Sequence, residues 1–140
     1  MHRACLAFVL LAATAACDGD AELTIDTTYS QMPALPIPDT GMLSSTIEVA
    51  ATGNVMQATV EAIVEHPRPA DLTLIVTSPA GTTAEIGGRI AEGSDQYRYA
   101  IPLLAFQGEA ANGTWTLTIT DGAAGASGTF LAWAVELPGL

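Results

Sequence analysis

Two strands near the C-terminus show the clearest alternation of apolar and polar positions in the chain. Around Trp115, apolar residues alternate with threonines, and a second alternating stretch surrounds Trp133. Successive side chains of a strand point to opposite faces, so each tryptophan is predicted to lie on an apolar face. The faces are predicted to comprise Trp115, Leu117 and Ile119 on the first strand, and Leu131, Trp133, Val135 and Leu137, opposite Phe130, Ala132 and Ala134, on the second. Such strands must pack against a second sheet, which predicts a β-sandwich.

Strand signals separated by turn residues recur from Pro38 to this region. They predict strands at 45–50, 55–66, 71–78, 82–86 and 97–101, and a loop at 87–96. Within 55–66 one face is predicted to carry Met56, Ala58, Val60, Ala62 and Val64. The Ser-Pro-Ala-Gly sequence at 78–81 has proline and glycine where a tight hairpin turn favours them. The sequence therefore predicts an all-β fold, an antiparallel β-sandwich or jelly roll of about eight strands, with no predicted helix.

Composition and charge narrow the function classes. The 140 residues, 49% of them apolar, are enough for one domain with a real core. The chain has fifteen acidic residues but only four arginines and no lysine, which gives a net charge of −11. This charge repels nucleic acid and anionic lipid headgroups, so no nucleic-acid partner is predicted. Without lysine the chain also has no Schiff-base chemistry and no P-loop.

The N-terminus has the pattern of an export signal. Arg3 precedes an apolar run over 4–16, which is too short to span a membrane and predicts a signal peptide at 1–16. The TAAC sequence at 14–17, followed by polar residues, resembles a bacterial lipobox and predicts lipidation of Cys17. Otherwise Cys17 would be an unpaired thiol in an exported protein, because Cys5 leaves with the signal. The expected location is the bacterial cell envelope; the alternative is ordinary cleavage after 13–15 and a secreted or periplasmic soluble protein.

The segment that follows the signal is predicted to be a tether. Residues 17–36 are acidic at first and then contain prolines at 33 and 36, which favour extended backbone. The folded domain is accordingly predicted to span 37–140, and upstream of it the sequence is interpreted as signal and tether without a catalytic domain.

Three segments of this domain carry a family resemblance. They are IPDTG at 37–41, the block at 60–82 that contains SPAGT, and the block at 103–137 that contains GTWTL and the Gly128-Thr-x-x-x-Trp133 element. Together they resemble the P domain, or Homo B domain, which follows the catalytic domain in subtilisin-like proprotein convertases of the kexin and furin type. The resemblance implies a β-sandwich with jelly-roll character. Gly128 is interpreted as a structural residue, as are the two tryptophans.

No catalytic site is predicted. A serine triad needs a base, which is nearly always histidine, and after signal removal His66 alone remains. Ser127 lies in GASG, which lacks the G-x-S-x-G pattern, so the chain is predicted not to be an enzyme. His66 is interpreted as a structural or solvated residue.

Three aspartates lie at predicted strand–loop junctions, namely Asp39, Asp71 and Asp121. Carboxylates in such places cap backbone N–H groups, so these residues are interpreted as structural. No D-x-D-x-D-G loop is present, and neither a metal site nor a cofactor is predicted. Calcium bound by loop carboxylates remains an open alternative.

Two functions are consistent with these observations. In the first, the chain is a membrane-tethered, non-catalytic module that binds or stabilises a partner protein in the cell envelope. The resemblance implies that P domains pack against and stabilise subtilisin-like catalytic domains, so the expected partner is such a domain or, alternatively, another protein of the cell envelope. In the second, the chain is a detached or remnant accessory part of a subtilisin-like serine endopeptidase system.

Overall fold

Antiparallel strands make up most of residues 26–93 and 95–140, which are the part of the chain that the computed structural model describes. In chain order they are β1 (Asp26–Gln31), β2 (Leu35–Ile37), β3 (Met42–Val49), β4 (Ala58–Glu65), β5 (Leu72–Thr77), β6 (Thr83–Glu85), β7 (Arg89–Ala91), β8 (Gln96–Leu103), β9 (Gly113–Asp121) and β10 (Gly128–Pro138). A single turn of 3-10 helix, Pro69–Asp71, precedes β5. Within these residues no helix is long and apolar enough to cross a membrane.

The strands form two sheets that face each other. The larger has the order β1-β10-β4-β8-β7, with β2 pairing with β10 as well, and the smaller has the order β3-β9-β5-β6. All of the ladders are antiparallel. Strands β9 and β10 are consecutive in sequence but lie in different sheets, so the loop at 122–127 crosses from one sheet to the other. The predicted all-β sandwich is confirmed.

The core lies between the sheets and follows the alternation read from the sequence. Strand β4 buries Ala58, Val60, Ala62 and Val64, and β9 buries Trp115, Leu117 and Ile119. Met56 is 63% exposed, contrary to prediction, because β4 begins only at Ala58 and the alternation does not extend back to it. The hairpin predicted at 78–81 joins β5 to β6, and the Gly81 N–H donates to the Ser78 carbonyl at 2.9 Å.

Both tryptophans are buried, and each indole N–H has an acceptor. Trp133 on β10 donates to Ser45 Oγ on β3 at 2.9 Å and so links the two sheets. Trp115 on β9 donates to the Ala111 carbonyl at 3.0 Å and packs edge-on against Phe106, with ring centroids 5.1 Å apart. A buried indole without a partner would lose its hydrogen bonds to water, so these acceptors make the burial favourable.

The predicted inner face of β10 is wrong at its first positions. Its pairing with β4 shifts register between Phe130 and Ala132, which leaves Leu131 as the extra residue of a β-bulge. A bulge changes the parity of the strand, so Phe130 is fully buried on the same face as Trp133, and Leu131 is only half-buried. The alternation from Trp133 to Leu137 is as predicted.

Two other sequence predictions need correction. The tether predicted for 17–36 is wrong from residue 26 onward, because β1 and β2 both pair with β10. The loop predicted for 87–96 contains β7, three residues that pair with β8 at an edge. Residues 1–25, with the predicted signal and Cys17, lie outside the described residues.

Candidate functional site

A buried histidine and a buried aspartate meet at one end of the sandwich. His66 follows the last residue of β4, and Asp121 is the last residue of β9, so each comes from a different sheet. Their side chains are inaccessible to solvent, and His66 Nε2 lies 3.0 Å from Asp121 Oδ2. This pair, with Arg68, Gly125 and Asp39 beside it, is called the His66 cluster below.

Both nitrogens of the His66 ring are engaged. The backbone N–H of Arg68 donates to Nδ1 at 3.0 Å, so Nδ1 is the acceptor. The proton of the neutral ring therefore sits on Nε2 and is donated to Asp121 Oδ2. Neither nitrogen is left to take a proton from a nucleophile. The solvated alternative for His66 is wrong, and the ring has a structural role.

Asp121 is held in its charged form. Burial by itself raises its pKa, but hydrogen bonds from the Ala123 N–H and from His66, together with the positive charge of Arg68, outweigh burial. The pKa of Asp121 is therefore below its ordinary value. The carboxylate accordingly stabilises the fold in its ionised state.

This depressed pKa predicts a loss of stability in acid. A lowered pKa contributes stability above the unfolded-state value, about 3.9, and that contribution disappears as the pH falls through the folded-state pKa. We expect the melting temperature of the wild type to fall between about pH 5 and pH 2, and more steeply than that of Asp121→Asn. Thermal unfolding at several pH values measures both slopes. Glu85→Gln, at an exposed position of β6, is the control; slopes of Asp121→Asn and wild type that coincide would contradict the prediction.

The crossing loop at 122–127 is anchored in the same cluster. Both carboxylate oxygens of Asp39 accept the Gly125 N–H at 3.1 Å. The Asp71 carbonyl accepts the Gly122 N–H at 2.9 Å. A side chain at Gly125 would put its Cβ 2.6 Å from Arg68 Nη2, so glycine lets the loop pass the guanidinium. Asp39 and Asp121 cap backbone N–H groups, whereas Asp71 acts through its backbone and leaves its buried Oδ2 without a partner among the described residues.

An open polar groove of about 350 Å³ lies beside the cluster. Its lining includes His66, Ser127, Asp95 and Thr129. A serine and a histidine thus share one groove, as a hydrolase would require, but the ring already uses both nitrogens in hydrogen bonds to other groups. His66 is therefore not available as the base that serine activation needs.

The carboxylates do not assemble into a metal site. Within 26–93 and 95–140, no three His, Cys, Asp or Glu side chains are close enough to hold an ion together. A calcium ion requires six to eight oxygen ligands. Asp39, Asp71 and Asp121 each use their groups separately, in contacts with the crossing loop.

A second polar cluster, which sequence reasoning missed, ties the opposite loops together. Glu109 accepts the Ser78 hydroxyl through Oε1 at 2.6 Å and the Thr82 hydroxyl through Oε2. Its carbonyl accepts the Val55 N–H at 2.7 Å. Ser78 and Thr82 are the ends of the SPAGT motif, so the motif fixes the β5–β6 hairpin against the 104–111 loop. The hydroxyl side chains at both ends of the motif were the feature of the sequence that could have indicated this cluster.

Gly128 occupies a position where no side chain fits. A Cβ there would overlap the Glu65 carbonyl oxygen and lie 2.9 Å from His66 Cδ2. The first residue of β10 is thereby packed directly on the end of β4 and on the His66 ring. The pairing of His66 with Asp121 could not be read from the sequence, since the two residues are 55 positions apart.

Comparisons with known proteins agree with this fold. The proprotein convertase P-domain family model matches residues 55–137. The serine protease of Aeromonas sobria aligns with a TM-score of 0.63 at 21% identity over 81% of this chain and 26% of the protease. The same protease in complex with its chaperone, ORF2, aligns at 0.64 and 22% identity over 80% and 26%. FLHE aligns at 0.62 and 14% identity over 79% and 92%. A sequence search of curated proteins gives no significant match.

Proposed function

The chain belongs to the proprotein convertase P-domain family, as the sequence motifs indicated, and on this basis we propose that it is a membrane-tethered, non-catalytic module that binds and stabilises a partner protein of the cell envelope. The family match is the observation that carries the proposal. The chain spans about a quarter of the Aeromonas protease with which it aligns. A subtilisin-like protease domain is the proposed partner.

The geometry of the His66 cluster supports the proposal of a non-catalytic module. Its buried groups hold the two sheets and the crossing loop together, and the histidine has no free nitrogen. We propose that a P domain built this way acts through its surface, which binds the partner. The second candidate, a detached accessory part of a serine endopeptidase system, shares this surface and differs in requiring one particular protease.

Stabilisation of a protease is the central test. The protein should be mixed with a subtilisin-like catalytic domain that is encoded near it and lacks its own P domain. At a concentration 100 times the dissociation constant, binding to the folded state adds about 2.7 kcal/mol to the protease's stability. We expect its melting temperature and its active lifetime to rise. An unrelated acidic protein at the same concentration is the control, because charge alone changes encounter rate more than affinity.

The same experiment distinguishes the two candidates. Stabilisation of the neighbouring protease alone supports the endopeptidase system, and stabilisation of another envelope protein supports a general binding module. The purified protein should not cleave casein. Cleavage that His66→Ala abolishes would overturn the proposal.

The membrane anchor is proposed to be a lipid on Cys17, since the apolar run ends in the TAAC sequence. Cys17→Ala should move the protein from the membrane fraction to the soluble fraction of cells, and intact-mass measurement should show the loss of the acyl chains. Cys5→Ala, within the predicted signal, is the matched control and should leave both results unchanged. Identical partitioning and mass for wild type and Cys17→Ala would rule the anchor out.

A further inference from the structure

The outer face of the six-stranded sheet carries an apolar groove beside its β1 edge. The groove has a volume of about 210 Å³, and its lining includes Met32, Glu61, Ile63, Ala132 and Ala134. Met32 directly follows β1 and is 81% exposed, the largest exposed fraction among the large hydrophobic residues described. This groove lies on the outside of the sandwich and is separate from the His66 cluster.

The depression follows from the sizes of neighbouring side chains. Ala132 and Ala134 point outward from β10, where they pair with Ile63 and Glu61 of β4. Two small side chains in a row leave a floor that is lower than the longer residues on either side. Met32 and Ile63 form the apolar walls, so one branched aliphatic side chain of a partner could fill the space between them. Burying such a chain removes apolar surface of both molecules from water, which favours binding.

The surroundings of the groove are negatively charged. Glu61, Glu65 and Glu136 all lie on this outer face of β4 and β10. Arg98 is the cation on the same face within the described residues, and it is already paired, at 3.4 Å with Glu61 and at 2.9 Å with Glu92. The face therefore keeps a net negative charge around an apolar depression.

The outer face of the four-stranded sheet has different chemistry. One row across its strands consists of threonines, one from each strand: Thr46, Thr116, Thr77 and Thr83. This row offers hydroxyl groups and methyl groups but no large exposed apolar residue. It provides a control surface of the same sheet geometry on the same molecule.

We infer that the groove is the docking surface for a protein segment that inserts one aliphatic side chain between Met32 and Ile63 and places arginine or lysine beside it, against the glutamates. The inference rests on the proposed function only in taking the partner to be a protein. An apolar anchor in a pocket with a charged rim is the usual arrangement of an interaction hot spot. The negative face selects a cationic segment over an acidic one, because opposite potentials both attract the right partner and repel the wrong one.

Short peptides of defined chemistry test this surface directly. Acetyl-Arg-Leu-Arg-amide, acetyl-Glu-Leu-Glu-amide and acetyl-Arg-Gly-Arg-amide are titrated into the ¹⁵N-labelled protein, and amide shifts are followed by NMR. We expect the first peptide to shift residues 30–32, 61–63 and 132–134, and the other two to bind at least tenfold more weakly. Ala134→Trp, which fills the floor, should abolish these shifts. Thr116→Trp, on the threonine row, should leave them intact.

Each result decides the inference. Shifts confined to the groove, dependent on both leucine and arginine and lost in Ala134→Trp, support it. Equal binding of the acidic peptide, shifts centred on the threonine row, or no shifts overturn it. Glu61→Gln provides a milder variant should Ala134→Trp fail to fold, and weaker binding of the arginine peptide is expected. The protease assay is independent: a stabilised protease insensitive to Ala134→Trp would retain the proposed function and reject the groove.

Discussion

Trp133→Ala is expected to lower the free energy of unfolding by about 3–5 kcal/mol, the usual cost of removing a fully packed large aromatic side chain. The indole is 2% exposed and lies between the sheets, and its N–H reaches Ser45 on the opposite sheet. A domain of this size has a total stability of about 5–15 kcal/mol, so this single change removes a large share. Urea unfolding followed by circular dichroism measures the difference.

Two further variants separate packing from hydrogen bonding at this position. Trp133→Phe keeps most of the ring and loses the N–H, whereas Ser45→Ala leaves the N–H buried without its acceptor. We expect each to cost about 1–3 kcal/mol, less than the full truncation. Met32→Ala, at an exposed position, should change stability by no more than about 0.5 kcal/mol. A midpoint for Trp133→Ala equal to that of Met32→Ala would show that the tryptophan does not hold the sheets together.

Gly128→Ala is the second change with a large expected effect. The new methyl group would overlap the Glu65 carbonyl oxygen and press on the His66 ring, so β10 must move away from β4. The backbone of β4 cannot move easily, because it is paired within the sheet. Overpacking of this kind lowers the free energy of unfolding by about 1–3 kcal/mol or more. The displacement also disturbs the His66–Asp121 hydrogen bond. We therefore expect a lower melting temperature and a shifted His66 ring signal in the NMR spectrum.

Gly87→Ala is the matched control for this substitution. A Cβ at Gly87 meets no atom within 4 Å, and the residue is exposed. The change should alter stability by no more than about 0.5 kcal/mol. If both alanine variants melt with the wild type, the close approach at Gly128 is not a constraint on the fold.

Much of the sandwich could be predicted because its signals are local. The alternation around Trp115 is a period-two pattern within nine residues, and the turn at 78–81 depends on one proline and one glycine. The inner face of β10 was predicted only in part. A bulge at Leu131 is defined by pairing with β4, and nothing in the sequence of β10 alone reveals an unpaired residue.

The edge strands and the candidate site depend on contacts that are distant in sequence. Strand β1 contains two threonines, a tyrosine and a serine but no aliphatic residue, and it is a strand because β10 offers it a free edge. Prolines at 33 and 36 favoured a tether, yet proline is tolerated at the edge of a sheet, where β2 lies. His66 and Asp121 were interpreted separately, because no local sequence pattern predicts that the end of β4 contacts the end of β9.

The pairing of β1 and β2 along one side of β10 limits how far the domain can be truncated from its N-terminal side. The family match begins at residue 55. The strands that pair with this side of β10, namely β1 and β2, both lie before residue 55. A shortened chain beginning at residue 55 would also lack β3, and so expose one side of β9. Two unpaired strand edges of nine and eleven residues would then be open to strands of other molecules, a recognised route to aggregation and strand exchange. The physical folding unit therefore begins at or before Asp26.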